Sequence, residues 1–245
     1  MFQKDCFLQS FYVLNIIVAI WLFQKDGIMK ILIDCDETLL ENTANIKKFY
    51  LETIDASADI DCSKYCSRWA VWKRPEEWEK ALDVYTKSDY FSNIPPVTGA
   101  IEAVKKFKQA GHRLSIITSC GQDRKVQENR RKNIRDVFGE GVFEDIIFLP
   151  LGWGNKKEAL EVARADLLID DSIHNCRDAL LCGMQAVLLR HPNNSYLVDN
   201  VLSGISFVAG MPGQQKMDNF DIIRDIGIIA DNWPDAVAKL KDILK

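Results

Sequence analysis

The sequence predicts an α/β protein with a doubly wound, Rossmann-like parallel sheet and a small helical cap inserted after the first strand. Three observations lead to this fold class. Short apolar, β-branched runs alternate with stretches of helical periodicity, as strands and crossover helices do in parallel sheets. Several of these runs end in polar residues, at the edge where ligands bind in such sheets. A long charged and aromatic stretch, 42–91, separates the first predicted strand from the next.

The predicted elements follow one another in a regular order. Residues 30–34 (KILID) form the first strand because the run is apolar and β-branched up to its final aspartate. Residues 42–91 form the predicted cap, and Pro95, Pro96 and Gly99 mark the return of the chain to the core. The core continues with predicted helices at 98–110, 122–136, 155–164 and 174–182 and predicted strands at 113–118, 145–149, 167–170 and 185–189.

The N-terminal segment admits three interpretations. Residues 7–23 are apolar but interrupted by polar residues, and their length is at the short edge of what crosses a bilayer. Because Met29 directly precedes the first strand, we favour residues 1–28 as an apolar extension or a start-site artefact, with a membrane anchor or a packed helix as the alternatives. The predicted domains are therefore an extension at 1–28, a core of 29–41 and 92–245, and a cap of 42–91.

Composition limits the classes of partner. Charged residues make up 27% of the chain and the net charge is −4, so no basic field is available for a nucleic-acid polymer or an anionic membrane. A small phosphorylated substrate remains compatible with this charge. The seven cysteines show no disulfide-framework spacing, and the isolated pair Cys62 and Cys66 supports a zinc site only weakly. These features predict a cytoplasmic protein, with membrane attachment only through residues 7–23, and leave monomer or homodimer open.

Two aspartates follow the first predicted strand directly. Asp34 and Asp36 can point the same way, because side chains alternate along an extended segment and only Cys35 separates the two. Carboxylates held this close repel each other unless a cation or a shared proton stabilises them. Mg²⁺ is the natural cation because it prefers oxygen ligands. A strand followed by a solvated acidic turn is the alternative that this pair alone leaves open.

Hydroxyl groups and lysines occur near two later strand ends. Thr118 and Ser119 close the run LSIITS, where hydroxyls could hold a phosphate oxygen or could simply cap the next helix. Lys156 and Lys157 open a predicted helix, where positive charge is mildly disfavoured by the helix dipole. These lysines are either a solvated surface pair or a source of fixed positive charge for a phosphoryl group.

A second acidic pair and an aromatic cluster complete the candidate set. Asp170 and Asp171 end the apolar run LLIDD, and burying adjacent acids without a cation would be costly. In the predicted cap, Trp69 and Trp72 lie close to basic residues and could stack a nucleobase. Alternatively, these tryptophans form the small apolar core of the cap.

Taken in order, these motifs resemble those of the haloacid dehalogenase (HAD) superfamily of phosphohydrolases. The matching residues are Asp34-x-Asp36-x-Thr38 for motif I, Thr118 for motif II, Lys156 or Lys157 for motif III, and Asp170-Asp171 for motif IV. Of the two lysines, Lys156 fits the family's usual spacing to Leu160 better.

A finer resemblance points to the 5′(3′)-deoxyribonucleotidase branch. It lies in the segments DYFSNIPPVTGAIEAVKKF, LIDDSIHN, RHPNN and the late Asn232-Trp233 pair. That branch usually has Asp-x-Asp-Gly-Val after the first strand, whereas this chain has Asp36-Glu37-Thr38. Residues 198–228 also look like an insertion.

The resemblance implies a mechanism and a set of roles. Asp34 would be the nucleophile that forms an aspartyl phosphate, and Asp36 the general acid and base. Mg²⁺ would be held by Asp34, Asp36 and Asp171 or Asp170, while the phosphoryl oxygens would be bound by Thr118, Ser119 and Lys156 or Lys157. The chain is thus expected to be a Mg²⁺-dependent phosphomonoester hydrolase acting on a small metabolite such as a nucleoside monophosphate.

Three alternatives to this expectation stay open on the sequence. They are a phosphatase of sugar or other small phosphates, a phosphotransferase or mutase that uses the same aspartyl phosphate, and a non-catalytic binding module with the same fold.

Overall fold

A computed structural model describes residues 27–60, 75–151, 156–203, 223 and 227–241 of the chain. Its strands are β1 (Lys30–Asp34), β2 (Arg113–Thr118), β3 (Asp145–Phe148), β4 (Leu167–Asp170), β5 (Gln185–Leu189) and β6 (Ile228–Ala230). Its helices are α1 (Asn42–Thr53), α2 (Pro75–Lys87), α3 (Ala100–Gln109), α4 (Arg124–Phe138), α5 (Lys156–Ala163), α6 (Ile173–Leu181), α7 (Ser195–Leu202) and α8 (Trp233–Leu240). A short 3-10 turn at Phe91–Asn93 precedes α3.

The six strands form one parallel sheet in the order β3-β2-β1-β4-β5-β6. The chain places β2 and β3 on one side of β1 and then returns to place β4, β5 and β6 on the other side. The strand order therefore reverses between β1 and β4. In open parallel sheets a crevice forms outside the carboxyl ends of the strands at this point, and ligands bind there. The predicted doubly wound α/β fold class is therefore confirmed, and the ends of β1 and β4 lie side by side.

The central strand β1 is covered on both faces. Ile31 and Ile33 face one apolar layer, which also contains Phe107 of α3 and Trp233 of α8. Leu32, which points the other way, belongs to a second layer built largely from α5, α6 and the strands β4 and β5. A strand buried on both faces needs a continuous apolar run, which explains why residues 31–33 show no polar alternation.

Five of the six strands lie where the sequence predicts them, and β6 does not correspond to any predicted strand. A strand of three residues is too short to show periodicity, and β6 is defined by its pairing with β5. Helix α7 was also missed; it begins at Ser195 and continues into the region that looks like an insertion. Of that region, 198–228, only residues 198–203, 223 and 227–228 are described.

Helices α1 and α2 lie in the segment predicted as a cap. Tyr85 of α2 packs on Phe49 of α1, with ring centroids 5.3 Å apart, and on Phe91, at 5.5 Å. Residues 61–74 lie outside the described ranges, and with them Trp69 and Trp72. The division into cap and core stays a prediction.

Within the described ranges, no helix is long and apolar enough to span a bilayer. Residues 7–23 lie outside those ranges, so the three interpretations of this segment stay predictions.

Trp233 fixes the loop after β1 from the opposite end of the chain. Its side chain is fully buried, and its Nε1 donates a hydrogen bond to the backbone carbonyl of Thr38 at 2.8 Å. We expect Trp233→Phe to lower the free energy of unfolding by about 2–3 kcal/mol, because it removes core volume and leaves a buried carbonyl unpaired. Urea denaturation followed by circular dichroism measures this change.

Val162→Ala is the matched control, since Val162 is 82% exposed and a substitution there should change stability by less than about 0.5 kcal/mol. Equal stability of Trp233→Phe and the control would contradict the importance of the Trp233–Thr38 contact.

Candidate active site

The carboxyl ends of β1 and β4 bring two aspartates to the same lysine. Asp34 is the last residue of β1, Asp170 is the last residue of β4, and Lys156 is the first residue of α5. The Lys156 Nζ donates to a carboxylate oxygen of Asp34 and, at 2.8 Å, to Oδ2 of Asp170. All three side chains are buried, so these ion pairs are shielded from water.

Asp170 and Asp171 differ in how many hydrogen bonds they accept. Asp170 accepts from the Ser172 backbone N–H at 2.8 Å and from the Asn175 side chain at 3.1 Å, in addition to Lys156. From the described residues, the Asp171 carboxylate accepts one long hydrogen bond, 3.4 Å, from the Thr38 hydroxyl. Asp170 is therefore a fixed partner for Lys156, whereas Asp171 keeps more of its capacity for a ligand.

The cluster carries more negative than positive charge. Carboxylate oxygens of Asp34, Asp170 and Asp171 lie within 4.8 Å of one another. Burial raises the pKa of Asp34 to about 7 although Lys156 opposes this shift. Burial also raises the pKa of Asp171 well above its ordinary value, and the charges of Asp170 and Asp34 add to the effect.

Such a cluster fits a divalent cation. Its donors are all oxygens, which suits a hard ion, and one lysine does not balance three buried carboxylates. A bound cation would favour the ionised form of all three side chains.

Thr118 ends β2 beside this cluster in the sheet. Its hydroxyl is buried and has no hydrogen-bond partner among the described residues. Ser119 is half-buried. A buried unpaired hydroxyl is unusual, and a phosphoryl oxygen would satisfy it.

The two candidate lysines face different surroundings. Lys156 is buried against Asp34 and Asp170, whereas Lys157 is exposed on α5. The structure thus brings Lys156, but not Lys157, to the aspartates.

Asp36 has a different cation as its partner. Its Oδ1 accepts from Nη2 of Arg130 at 2.5 Å, and the Arg130 guanidinium lies 4.2 Å from the centre of the Phe91 ring. The Arg130 side chain is completely buried, while 31% of the Asp36 side chain is exposed. Asp36 therefore faces solvent at the edge of the site and is separate in its contacts from the Lys156 cluster.

Sequence reasoning missed Arg130 because it lies within α4 among other basic residues. Only its burial distinguishes it from them, since neighbouring Arg131 carries the same charge. Asn175 lies in the segment LIDDSIHN, which was noted for its resemblance but not for this residue. Its position five residues after Asp170, on the first turn of α6, is a usable signal for a side chain that orients that carboxylate.

Comparison with solved structures identifies the same fold in HAD hydrolases. A haloacid dehalogenase-like family hydrolase of Streptococcus pneumoniae is 13% identical, with a TM-score of 0.54, and the alignment covers 87% of this chain and 99% of that one. A HAD family hydrolase of Deinococcus radiodurans, solved with bound phosphate and sodium, is 14% identical with a TM-score of 0.53, covering 89% and 96%. At these identities the likeness concerns the fold alone. No match was found among curated protein sequences.

The family model described as "5′ nucleotidase, deoxy (Pyrimidine), cytosolic type C protein" matches residues 28–203. The match covers most of the chain, including β1 to β5 and every residue of the aspartate–lysine cluster. The chain therefore belongs to this nucleotidase family of phosphohydrolases within the HAD superfamily.

Proposed function

We propose that the protein is a Mg²⁺-dependent phosphomonoester hydrolase that acts on nucleoside monophosphates through an aspartyl phosphate. The observation that carries this proposal is the buried bridge from Lys156 to Asp34 and Asp170 at the switch point of the sheet. Two further groups support it from either side of β1. The Thr118 hydroxyl at the end of β2 has no hydrogen-bond partner among the described residues, and Asp171, which follows β4, accepts only a long hydrogen bond from Thr38 among them.

Asp34 is the proposed nucleophile. One of its oxygens would form a bond to phosphorus while the bond to the leaving alcohol oxygen breaks, which yields the aspartyl phosphate. Lys156 would hold the Asp34 carboxylate in place and offset the negative charge of the incoming phosphoryl group. Thr118, together with Ser119, would donate to phosphoryl oxygens as these approach the end of β2.

Asp36 is the proposed proton carrier. In the first step it would give a proton to the leaving oxygen, and in the second it would take one from the water that attacks the aspartyl phosphate. The contact with Arg130 holds the Asp36 carboxylate at the edge of the site.

The proposed Mg²⁺ ligands are Asp34, Asp171 and the backbone carbonyl of Asp36. When bound, the ion would neutralise the charge that accumulates between the aspartates and the phosphoryl group. Asp170, whose oxygens are already used, would serve instead to hold Lys156.

A nucleoside monophosphate is the proposed substrate because of the family match and the aromatic residues of the predicted cap. The family's own description names a deoxy pyrimidine nucleotidase. Trp69 and Trp72, outside the described ranges, are the proposed stacking partners for the base.

Removing the nucleophile tests the chemistry. We expect Asp34→Asn to lower phosphate release by at least about a thousandfold, because the amide keeps the shape of the side chain but cannot attack phosphorus. The measurement is phosphate release from a panel of nucleoside monophosphates, with and without a chelator. Activity that resists chelation, or an Asp34→Asn protein within tenfold of wild type, would contradict the mechanism.

Two further variants calibrate this test. Asp36→Asn should also be severely impaired, by about 10²–10⁴-fold, as expected for loss of a general acid and base. Lys157→Ala, which changes an exposed residue on the same helix as Lys156, should keep its activity within about twofold.

The acidic cluster predicts a pH dependence of stability in metal-free buffer. Because the pKa of Asp171 is raised on folding, the unfolded chain ionises first as pH rises above about 4, and the folded state then loses stability. Asp171→Asn should therefore match wild type near pH 4 and exceed it at pH 7, by about 1.4 kcal/mol for each unit of raised pKa. Chemical denaturation across this pH range measures the difference.

Adding Mg²⁺ tests whether a cation binds at Asp171. At pH 7 it should stabilise wild type and stabilise Asp171→Asn less. Two results together would remove the support for a cation at Asp171. They are a wild-type stability that does not fall, relative to Asp171→Asn, as pH rises from 4 to 7, and a wild-type stability that Mg²⁺ does not change.

Stacking in the cap predicts substrate preference. Nucleoside monophosphates should be hydrolysed about ten- to a hundredfold more efficiently than sugar phosphates of similar size, since one base–aromatic stack is worth roughly 1–3 kcal/mol. Trp69→Ala or Trp72→Ala should erase that preference and leave hydrolysis of a generic aryl phosphate largely intact. A preference for sugar phosphates, or one that survives both substitutions, would leave only the broader phosphatase function.

A further inference from the structure

A second cluster of metal-binding side chains lies outside the phosphatase constellation. Glu37, Glu41 and His191 each present one ligand atom, and these atoms lie within 4.8 Å of one another. All three residues line a cavity of about 450 Å³ that does not include Asp34, Asp170 or Asp171. We propose that this cluster is a second divalent-metal site, which takes a transition ion such as Zn²⁺ through one imidazole nitrogen and two carboxylates.

The surroundings of His191 fix which ring nitrogen faces the carboxylates. Nδ1 lies 2.9 Å from Oδ1 of Asn193, so this nitrogen carries the hydrogen and donates it to the amide oxygen. The Asn193 amide is itself oriented by a 3.5 Å contact from its Nδ2 to the Thr43 hydroxyl. Nε2 then faces the two glutamates and lies within hydrogen-bond distance, 3.4 Å, of Oε2 of Glu41. Metal-binding histidines are oriented in this manner, by a hydrogen bond from the nitrogen that does not bind the ion.

Two carboxylates face this ring nitrogen. Oε2 of Glu37 and Oε2 of Glu41 each lie 3.4 Å from Nε2 of His191. Although burial opposes the shift, the contacts with Glu41 and Glu37 raise the pKa of His191. Without a metal, a proton on Nε2 offsets the two carboxylates, and a metal ion bound here would replace that proton.

Glu37 gives an independent indication that this cluster can hold a ligand. The residue is only 6% exposed, and its Oε1 accepts from the Thr43 backbone N–H at 2.5 Å. Its Oε2 accepts no hydrogen bond from the described residues and has only the 3.4 Å ion-pair contact with His191. A buried carboxylate oxygen without a partner is costly, and a metal ion would satisfy it.

The lysine and the arginine that line this cavity contact groups outside the cluster. Lys47 donates from Nζ to the carbonyl of Ile60 at 2.9 Å. Arg190 pairs with Asp199 at 2.8 Å and with Asp231 at 3.1 Å. Among the described residues lining the cavity, these two therefore do not provide the counter-charge for the cluster.

The ligand types select the ion. An imidazole with two carboxylates suits Zn²⁺ or a similar transition ion, whereas the all-oxygen cluster at Asp34 suits Mg²⁺. The side chain of Glu41 is 30% exposed, which leaves a route for the ion and room for water as a further ligand. The imidazole should thus give the second site a preference for Zn²⁺ over Mg²⁺.

Calorimetric titration of the full-length protein with Zn²⁺, in saturating Mg²⁺, tests the proposal. We expect about one equivalent to bind at this site. Affinity should fall at least about a hundredfold in His191→Ala and in Glu41→Gln, which lose a ligand, and about tenfold in Asn193→Ala, which loses only the orientation of the ring. Glu41→Gln is the safer variant for folding because Glu41 is partly exposed.

Two controls separate this site from others. Asp171→Asn should bind Zn²⁺ as wild type does, so the outcome is independent of the phosphatase proposal. The double variant Cys62→Ser/Cys66→Ser should also retain binding, and Co²⁺ used in place of Zn²⁺ should show no thiolate charge-transfer absorption.

Three results would overturn the proposal. They are wild-type affinity in a folded His191→Ala or Glu41→Gln, binding that is lost in the cysteine variant with thiolate absorption, and no Zn²⁺ binding at all. The last result would mean that a shared proton, not a metal, holds Glu37, Glu41 and His191 together.

Discussion

The geometry of the candidate active site depends on one buried cation. Lys156 contacts Asp34 and Asp170, which end two adjacent strands. Without it, three buried carboxylates would meet with no ion-pair partner among the residues that the structure describes. Breaking a buried ion pair leaves an uncompensated charge and is strongly destabilising, so the position of Lys156 is also a constraint on the fold. It ties the first turn of α5 to the switch point between β1 and β4. The same constraint prepares the site for a dianionic phosphoryl group, because the positive charge is already in place.

Two aspartates only two residues apart have contrasting environments. Asp34 is buried with Lys156, and its pKa is raised to about 7, while Asp36 is partly exposed and paired with Arg130. When two neighbouring carboxylates have different environments, they can take different chemical roles in one site. In the proposed mechanism, the buried carboxylate attacks phosphorus and the exposed one carries protons. The separation depends on Arg130, which stacks on Phe91 and so reaches Asp36 from helix α4 rather than from the sheet.

Sequence reasoning located the strand ends because it rests on local signals. An apolar run followed by Asp34, Thr118 or Asp170 is visible in a few residues, and the parallel sheet brings those ends to one edge. Contacts made across long sequence separations gave no such signal: Arg130 with Asp36, His191 with Glu37, and Trp233 with Thr38. Each of these side chains lies on a different element from its partner, and only the packed structure shows that they meet. The choice between Lys156 and Lys157 likewise depends on how α5 is rotated about its axis relative to the sheet, and packing determines that rotation.

The loop between β1 and α1 carries residues of both sites, since Asp36 belongs to the candidate active site and Glu37 to the cluster with Glu41 and His191. Backbone N–H groups of Leu39 and Leu40 both donate to the carbonyl of Cys35 at 2.9 Å, which closes the loop tightly. Glu37 adopts a φ of 61°, in the left-handed region where the related branch usually has glycine, at a cost of roughly 1–2 kcal/mol. A glycine would avoid that cost but could not reach the cluster with Glu41 and His191. Substituting Glu37 changes both the backbone beside Asp36 and the carboxylate in the cavity, so its effects on the two sites cannot be separated. Glu41 and His191 do not share that loop strain, and they are therefore the residues at which the second cluster can be altered while the phosphatase loop stays as it is.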